Sequence, residues 1–87
     1  MSKPLTIHYF AWLRERTGSA QEELALPEGV ETVDAVMAYL STRDPAHAMA
    51  FQNRKTIRCA VNQEFADPSS AVRPGDEIAF FPPVTGG

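Results

Sequence analysis

The chain has 87 residues, of which 44% are hydrophobic and 22% charged, so it can form one globular domain and is neither disordered nor fibrous. The net charge is −3 and the basic residues are scattered, so the sequence lacks the basic stripe typical of nucleic-acid-binding proteins. We therefore do not expect the protein to bind nucleic acid. The single cysteine, Cys59, cannot form an internal disulfide, so stability must come from the core. No signal-peptide pattern is present and no run reaches the ~18 apolar residues of a membrane span, so we expect a soluble cytoplasmic protein.

The first part of the chain predicts a β-hairpin. In LTIHYFAW, the residues Leu5, Ile7 and Tyr9 fall on one face, which is the period of a half-buried strand. AWLRERTG, which closes on Gly18, is interpreted as a short helical turn or a loop. QEELALPEG alternates again through Glu22, Leu24 and Leu26, and the two strands are close enough in sequence to pair.

The middle of the chain predicts one main helix and a second short helical segment. Thr32 is a suitable N-cap for the main helix. An apolar stripe with helical spacing follows this cap: Val33, Val36, Met37 and Leu40. DPAHAMAF predicts the second segment, with Asp44 as the cap and Pro45 at the first helical position.

The last third of the chain predicts three more strands. TIRCAVN alternates through Cys59, NQEF turns into a short strand, and EIAFFPP forms a final strand that Pro82 and Pro83 terminate. The element order predicts an α+β domain with a β-grasp (ubiquitin-like) fold, built on a mixed sheet of four to five strands. We expect residues 1–87 to form this single domain, with residues 82–87 as a protruding tail.

The interior of this fold offers no convincing catalytic group. Cys59 lies in phase with apolar neighbours and is interpreted as a core thiol, because a reactive thiol needs exposure and an electropositive neighbour. His8 is placed on a strand face and His47 on a helix surface, without partners at metal-ligand spacing, so no metal site is expected. Glu22 and Glu23 are adjacent on a strand and point to opposite faces, so they cannot act as a carboxylate pair.

The final residues resemble a known family. GDEIAFFPPVTGG, preceded by AVNQEF, is similar to the C-terminal region of the small subunits of molybdopterin synthase (MoaD), and YFAWLRE resembles the first strand and following turn of that family. The resemblance covers nearly the whole chain, is most specific in the last thirteen residues, and adds little between Ser19 and Lys55. It implies a β-grasp sulfur carrier that is not an enzyme on its own and binds no permanent cofactor.

The resemblance also implies the chemistry and the partners. In that family an E1-like enzyme uses ATP to adenylate the C-terminal carboxylate, here that of Gly87, and a sulfur donor system then converts it to a thiocarboxylate. The loaded tail enters the large synthase subunit and gives sulfur to a cyclic pyranopterin precursor, and two deliveries build the dithiolene of molybdopterin. The implied complex is a heterotetramer of two small and two large subunits.

The composition of the tail fits this chemistry on physical grounds. Glycines without Cβ allow the backbone to approach a partner closely, and paired prolines favour an extended stalk. The tail has these residues: Pro82, Pro83, Val84, Thr85, Gly86 and Gly87. A carrier for thiamin thiazole or another pathway, a ubiquitin-like modifier and an interaction module with an incidental tail remain alternatives, although thiazole carriers are typically shorter and lack FFPPVTGG.

Three residues are candidates for the partner interface. Phe80 shares a strand face with Ile78, whereas Phe81 takes the opposite face, which a single helical layer leaves uncovered. Phe81 is therefore the main interface candidate. Phe65 is either a second interface residue or a core residue of the short strand, and Arg14 is either a polar contact at the rim or a solvated side chain.

Overall fold

The computed structural model describes residues 3–83. The helices and strands follow one another along the chain in this order: β1 Leu5–Tyr9, α1 Trp12–Thr17, β2 Gln21–Leu24, α2 Val33–Ser41, α3 Pro45–Ala50, a 3₁₀ turn Arg54–Thr56, β3 Arg58–Val61, β4 Glu64–Ala66 and β5 Glu77–Phe81. Within the described part, no helix has the length and apolar character needed to cross a bilayer.

Five strands of residues 3–83 form one mixed sheet in the order β2-β1-β5-β3-β4. β1 and β5 are parallel neighbours, and the other pairs, including the predicted β1–β2 hairpin, are antiparallel. Tyr9 and Cys59 both lie opposite Phe80, so these side chains share one face of the sheet. The predicted α+β fold with a mixed β-grasp sheet is confirmed.

The hydrophobic core lies between the sheet and α2. Ile7 and Phe80 are fully buried on the strand side, and the predicted apolar stripe of α2 is buried against them. The helix begins where the sequence indicates, because the side chain of Thr32 accepts a hydrogen bond of 3.1 Å from the backbone N–H of Ala35.

The segments α1 and α3 are both short helices. AWLRERTG, interpreted as a turn or a loop, forms the short helix α1, which ends at Gly18 in the left-handed conformation with φ of 80°. α3 has the predicted Asp44 cap, whose carboxylate accepts a hydrogen bond of 2.8 Å from the backbone N–H of His47. The prediction that His47 lies on a helix surface is wrong: its residue surface is only 7% exposed. The ring is directed at β2, where Nε2 contacts Glu22, while Nδ1 contacts Asp44 at the start of α3.

A tight turn fixes the β3–β4 hairpin beside β5. Asn62 and Gln63 both have positive φ, 51° and 70°, which suits the twist of a two-residue hairpin turn. The Asn62 side chain donates to Asp76 Oδ1 at 3.1 Å and accepts from the backbone N–H of Glu77 at 3.0 Å. The turn is therefore attached to the start of the last strand, which sets the position of β4 relative to β5.

Candidate docking face and C-terminal tail

β5 presents different side chains to the two sides of the sheet. Phe80 is fully buried, with its ring centroid 5.1 Å from that of Phe51. Phe81, the next residue, lies on the opposite side and is partly exposed. The predicted division between the two phenylalanines is confirmed, and it follows from the alternation of side chains along a strand.

The sheet surface on the Phe81 side, which we call the open face, is apolar at its centre. His8, Ala79, Ala60 and Phe65 are successive cross-strand neighbours on β1, β5, β3 and β4. The two alanines leave a shallow depression of about 240 Å³ that Phe10 also lines. The small side chains of the two alanines leave this space open on the sheet surface.

Exposed aromatic rings adjoin this depression. Phe65 is 88% exposed and Phe10 is 50% exposed. Phe65 and Phe81 contact each other, with ring centroids 6.1 Å apart and an interplanar angle of 62°, an edge-to-face arrangement. Of the two interpretations of Phe65, the structure supports an exposed surface residue over a core residue. Exposed clustered aromatics are typical of protein-binding sites.

Arg14 is exposed on α1, near the end of the sheet from which the tail leaves. The start of α1 is attached to the tail strand because the backbone N–H of Phe10 donates to the carbonyl of Phe80 at 3.1 Å. Phe10, which lines the open face, precedes α1, whereas α1 itself packs against α3 on the covered side. The role of Arg14 as a rim contact stays a prediction.

The tail leaves from the central strand of the sheet. β5 is hydrogen-bonded on one side to β1 and on the other to β3, and Pro82 and Pro83 follow it as half-buried residues. Four residues of the predicted tail lie outside the described residues: Val84, Thr85, Gly86 and Gly87. The described part thus provides a firmly anchored base for the predicted stalk.

Cys59 is a core residue, as the alternation indicates. Its residue surface is 5% exposed. Burial, and to a lesser extent the charge of Asp67, raises the pKa of the Cys59 thiol, which disfavours the nucleophilic thiolate. Among residues 3–83, no three histidine, cysteine, aspartate or glutamate side chains are grouped so that they could hold a metal ion.

Sequence reasoning missed a cluster of polar side chains beneath the sheet, which we call the His47 cluster: Tyr9, Glu22, Arg43, Asp44 and His47. The Tyr9 hydroxyl donates to Glu22 Oε2 at 2.8 Å, and Arg43 is paired with Glu22 Oε1. His47 Nε2 lies 2.9 Å from Glu22 Oε2, and its Nδ1 lies 2.9 Å from Asp44 Oδ1. One signal was present in the sequence: Glu22 is in phase with Leu24 on the core-facing side of β2, and a carboxylate there needs partners.

A five-stranded mixed sheet, covered by helices on one face and open on the other, defines a ubiquitin-like domain. The chain belongs to the ThiS family, which matches residues 7–87. It is 40% identical over 83 residues to a "Molybdopterin synthase sulfur carrier subunit" of Haemophilus influenzae, covering 95% of this chain and 99% of that protein. The protein of the same name from Escherichia coli is 35% identical, again over 95% of this chain and 99% of the relative.

A solved structure also shares the fold. The structure of small archaeal modifier protein 1 of H. volcanii superimposes with a TM-score of 0.74 at 30% sequence identity, covering 94% of this chain and 99% of that one. These matches confirm the family resemblance seen in the tail and the first strand. They extend it through the middle of the chain, where the sequence alone offered no recognisable motif.

Proposed function

We propose that the chain is the sulfur carrier subunit of a molybdopterin synthase and acts in molybdenum cofactor biosynthesis. The observation that carries this proposal is the match, over 95% of the chain, to curated relatives that bear that name. In this role the chain acts as the sulfur-donating subunit of a sulfurtransferase complex whose active site belongs to the partner.

The proposed chemistry takes place on the carboxylate of Gly87. An E1-like activating enzyme joins this carboxylate to the α-phosphate of ATP and releases pyrophosphate, which makes a poor electrophile into a mixed anhydride with a good leaving group. A donor of sulfide then attacks the carbonyl, displaces AMP and leaves a thiocarboxylate. Transfer of that sulfur to the cyclic pyranopterin, with water supplying oxygen in its place, regenerates the carboxylate for another cycle.

The open face supplies the proposed binding surface. Phe81 and Phe65 are the aromatic anchors, and Arg14 gives a polar contact at the rim; exposed aromatic and arginine side chains often dominate binding energy. The occupants are the large synthase subunit, in a heterotetramer of two small and two large subunits, and the activating enzyme. Anchoring on this face would direct residues 82–87 into the partner's active site at low entropic cost, because the two prolines already restrict the backbone.

Intact-mass analysis tests the loading step. After incubation with the activating enzyme, ATP and a sulfur donor, one oxygen should be replaced by sulfur, and fragmentation should place the sulfur on Gly87. The Cys59→Ser variant is the matched control, since it removes the other residue able to retain sulfur and should load equally well. Sulfur found on Cys59 and not on the tail would overturn the proposal.

A second experiment tests whether the position of the terminal carboxylate matters. One residue appended after Gly87 should leave the melting curve unchanged, because it adds nothing to the packed residues, and should abolish dithiolene formation from the pyranopterin precursor. A substitution of Gly86 by valine should act similarly, since a branched side chain obstructs close backbone approach. Full adenylation and full dithiolene formation by the extended variant would show that Gly87 does not carry the sulfur.

A second candidate function rests on the likeness to small archaeal modifier protein 1. In this role the activated Gly87 would form an amide bond with an amino group of a target protein and release AMP. Conjugates that survive reducing gel electrophoresis after incubation with the activating enzyme, ATP and cell extract would favour the modifier. Sulfur loading with dithiolene formation and without such conjugates would favour the synthase subunit.

A further inference from the structure

We propose that His47 is held as an imidazolium cation that bridges β2 and α3, so that the attachment of α3 to the sheet depends on a proton. The observation is the placement of a buried ring between two carboxylates. Neither the resemblance of the tail nor the chemistry at Gly87 involves this residue.

Both ring nitrogens of His47 face carboxylate oxygens. Nε2 lies 2.9 Å from Glu22 Oε2, and Nδ1 lies 2.9 Å and 3.0 Å from the two oxygens of Asp44. The side chain is 8% exposed, so water is largely excluded from the ring. A neutral imidazole carries one N–H and could satisfy only one of these two contacts as a donor.

The two carboxylates are ionised near neutral pH, so they act only as acceptors. Burial alone would raise the pKa of Glu22, but hydrogen bonds from His47, Tyr9 and Arg43 outweigh this effect and hold that pKa below its ordinary value. Hydrogen bonds from the backbone and the ring of His47 lower the pKa of Asp44. With two ionised acceptors in place, both ring nitrogens of His47 must donate, and the ring carries a positive charge.

The charges of the surrounding groups balance only when His47 is protonated. The cluster then contains the anions Glu22 and Asp44 and the cations Arg43 and His47; loss of the proton leaves one uncompensated negative charge. The remaining member of the cluster is Tyr9 of β1, which donates its hydroxyl to Glu22. Tyr39 of α2 adjoins the cluster beside Arg43. The charged residues of α1, the remaining element packed on α3, are exposed: Arg14, Glu15 and Arg16.

The cluster lies directly beneath the root of the tail strand. The ring of Tyr9, whose hydroxyl belongs to the cluster, is stacked on Phe80 at a centroid distance of 6.3 Å, and the ring of His47 meets Tyr9 edge-on at 6.1 Å. The protonated bridge therefore supports the packing on the covered face of β5. Loss of this bridge would loosen α3 from the sheet below the strand that carries the tail.

Two-bond ¹H–¹⁵N NMR of the histidine rings tests the protonation state directly in the wild-type protein. The chain has two histidines, so His8 provides the internal comparison. His8 is partly exposed and its Nε2 lies 3.6 Å from Glu77. We expect both ring nitrogens of His47 to be protonated at pH 7. A neutral His47 with one N–H at that pH, the proton residing on Glu22 or absent, would overturn the proposal.

The melting temperature provides a second test with matched variants. His47→Gln removes the charged bridge between Glu22 and Asp44 and should lower the melting temperature by about 4–8 °C, the shift expected for one interaction of typical strength. His8→Gln should leave the melting temperature nearly unchanged. Equal melting temperatures for wild type and His47→Gln would refute the bridge.

Discussion

Alanine at Phe80 and alanine at Phe81 should produce opposite phenotypes, although the two residues are adjacent. Phe80 is fully buried and contacts the rings of Phe51 and Tyr9. Truncation of a buried phenylalanine costs about 3–5 kcal/mol, which is a large part of the roughly 5–15 kcal/mol that stabilises a typical domain. In a small domain the free energy of unfolding falls by about 1 kcal/mol for each molar increase in urea. The urea concentration at the unfolding midpoint of Phe80→Ala should therefore fall by about 3 M or more.

Phe81→Ala should affect binding more than folding. Its ring is partly exposed and pairs with the exposed ring of Phe65, so the free energy of unfolding should fall only by the value of one aromatic pair, about 0.5–1.5 kcal/mol. The Kd for the proposed large subunit should rise at least about 5-fold, the equivalent of losing about 1 kcal/mol at an aromatic anchor. Phe65→Ala removes the more exposed ring of the same pair and is the matched variant. Beyond the loss of the ring pair, it should change the free energy of unfolding by no more than about 0.5 kcal/mol.

Urea titration followed by far-ultraviolet circular dichroism gives the stability, and isothermal titration calorimetry with the purified large subunit gives the Kd. If Phe81→Ala unfolded the domain while Phe80→Ala did not, the two side chains would lie on the opposite faces from those assigned here. Unchanged Kd values for both Phe81→Ala and Phe65→Ala would show that partners bind elsewhere on the surface.

Two further predictions concern the folded domain. Cys59→Ala should lower the free energy of unfolding by about 0.5–3 kcal/mol and leave sulfur loading of the folded protein intact; lost loading with an unchanged melting curve would instead give Cys59 a chemical role. Thr32→Ala should cost about 0.5–2 kcal/mol in chemical denaturation because it removes the N-cap of α2, whereas Thr32→Ser should retain most of the stability, and equal losses for both variants would argue against the cap.

Local patterns in the sequence predicted the faces of the strands and the starts of the helices. Alternation placed Ile7 and Phe80 in the core and Phe81 on the other side, because the period of two is a property of the strand itself. The caps at Thr32 and Asp44 were predictable for a similar reason: each bonds to a backbone N–H three residues further on. The roles of Gly86 and Gly87 stay predictions, since both lie outside the described residues.

The environment of His47 could not be predicted from local pattern. α3 has only six residues, too few for a clear apolar stripe, and a histidine in such a helix is ordinarily assigned to the surface. Its partner Glu22 is 25 positions away, on a strand that the fold brings under α3. The exposure of Phe65 could not be predicted for a related reason. β4 is an edge strand of three residues, and the alternation of its side chains does not indicate which face of the sheet the helices cover.

The central position of β5 has a mechanical consequence. A pull along the tail, directed away from the domain, acts parallel to the strand and loads the hydrogen bonds to β1 and β3 together, so that many must fail at once. The same pull along an edge strand would load the hydrogen bonds to a single neighbour only. If a partner holds the tail as proposed, it pulls on a strand that is bonded on both sides, and withdrawal would have to break two rows of hydrogen bonds before the domain unfolded.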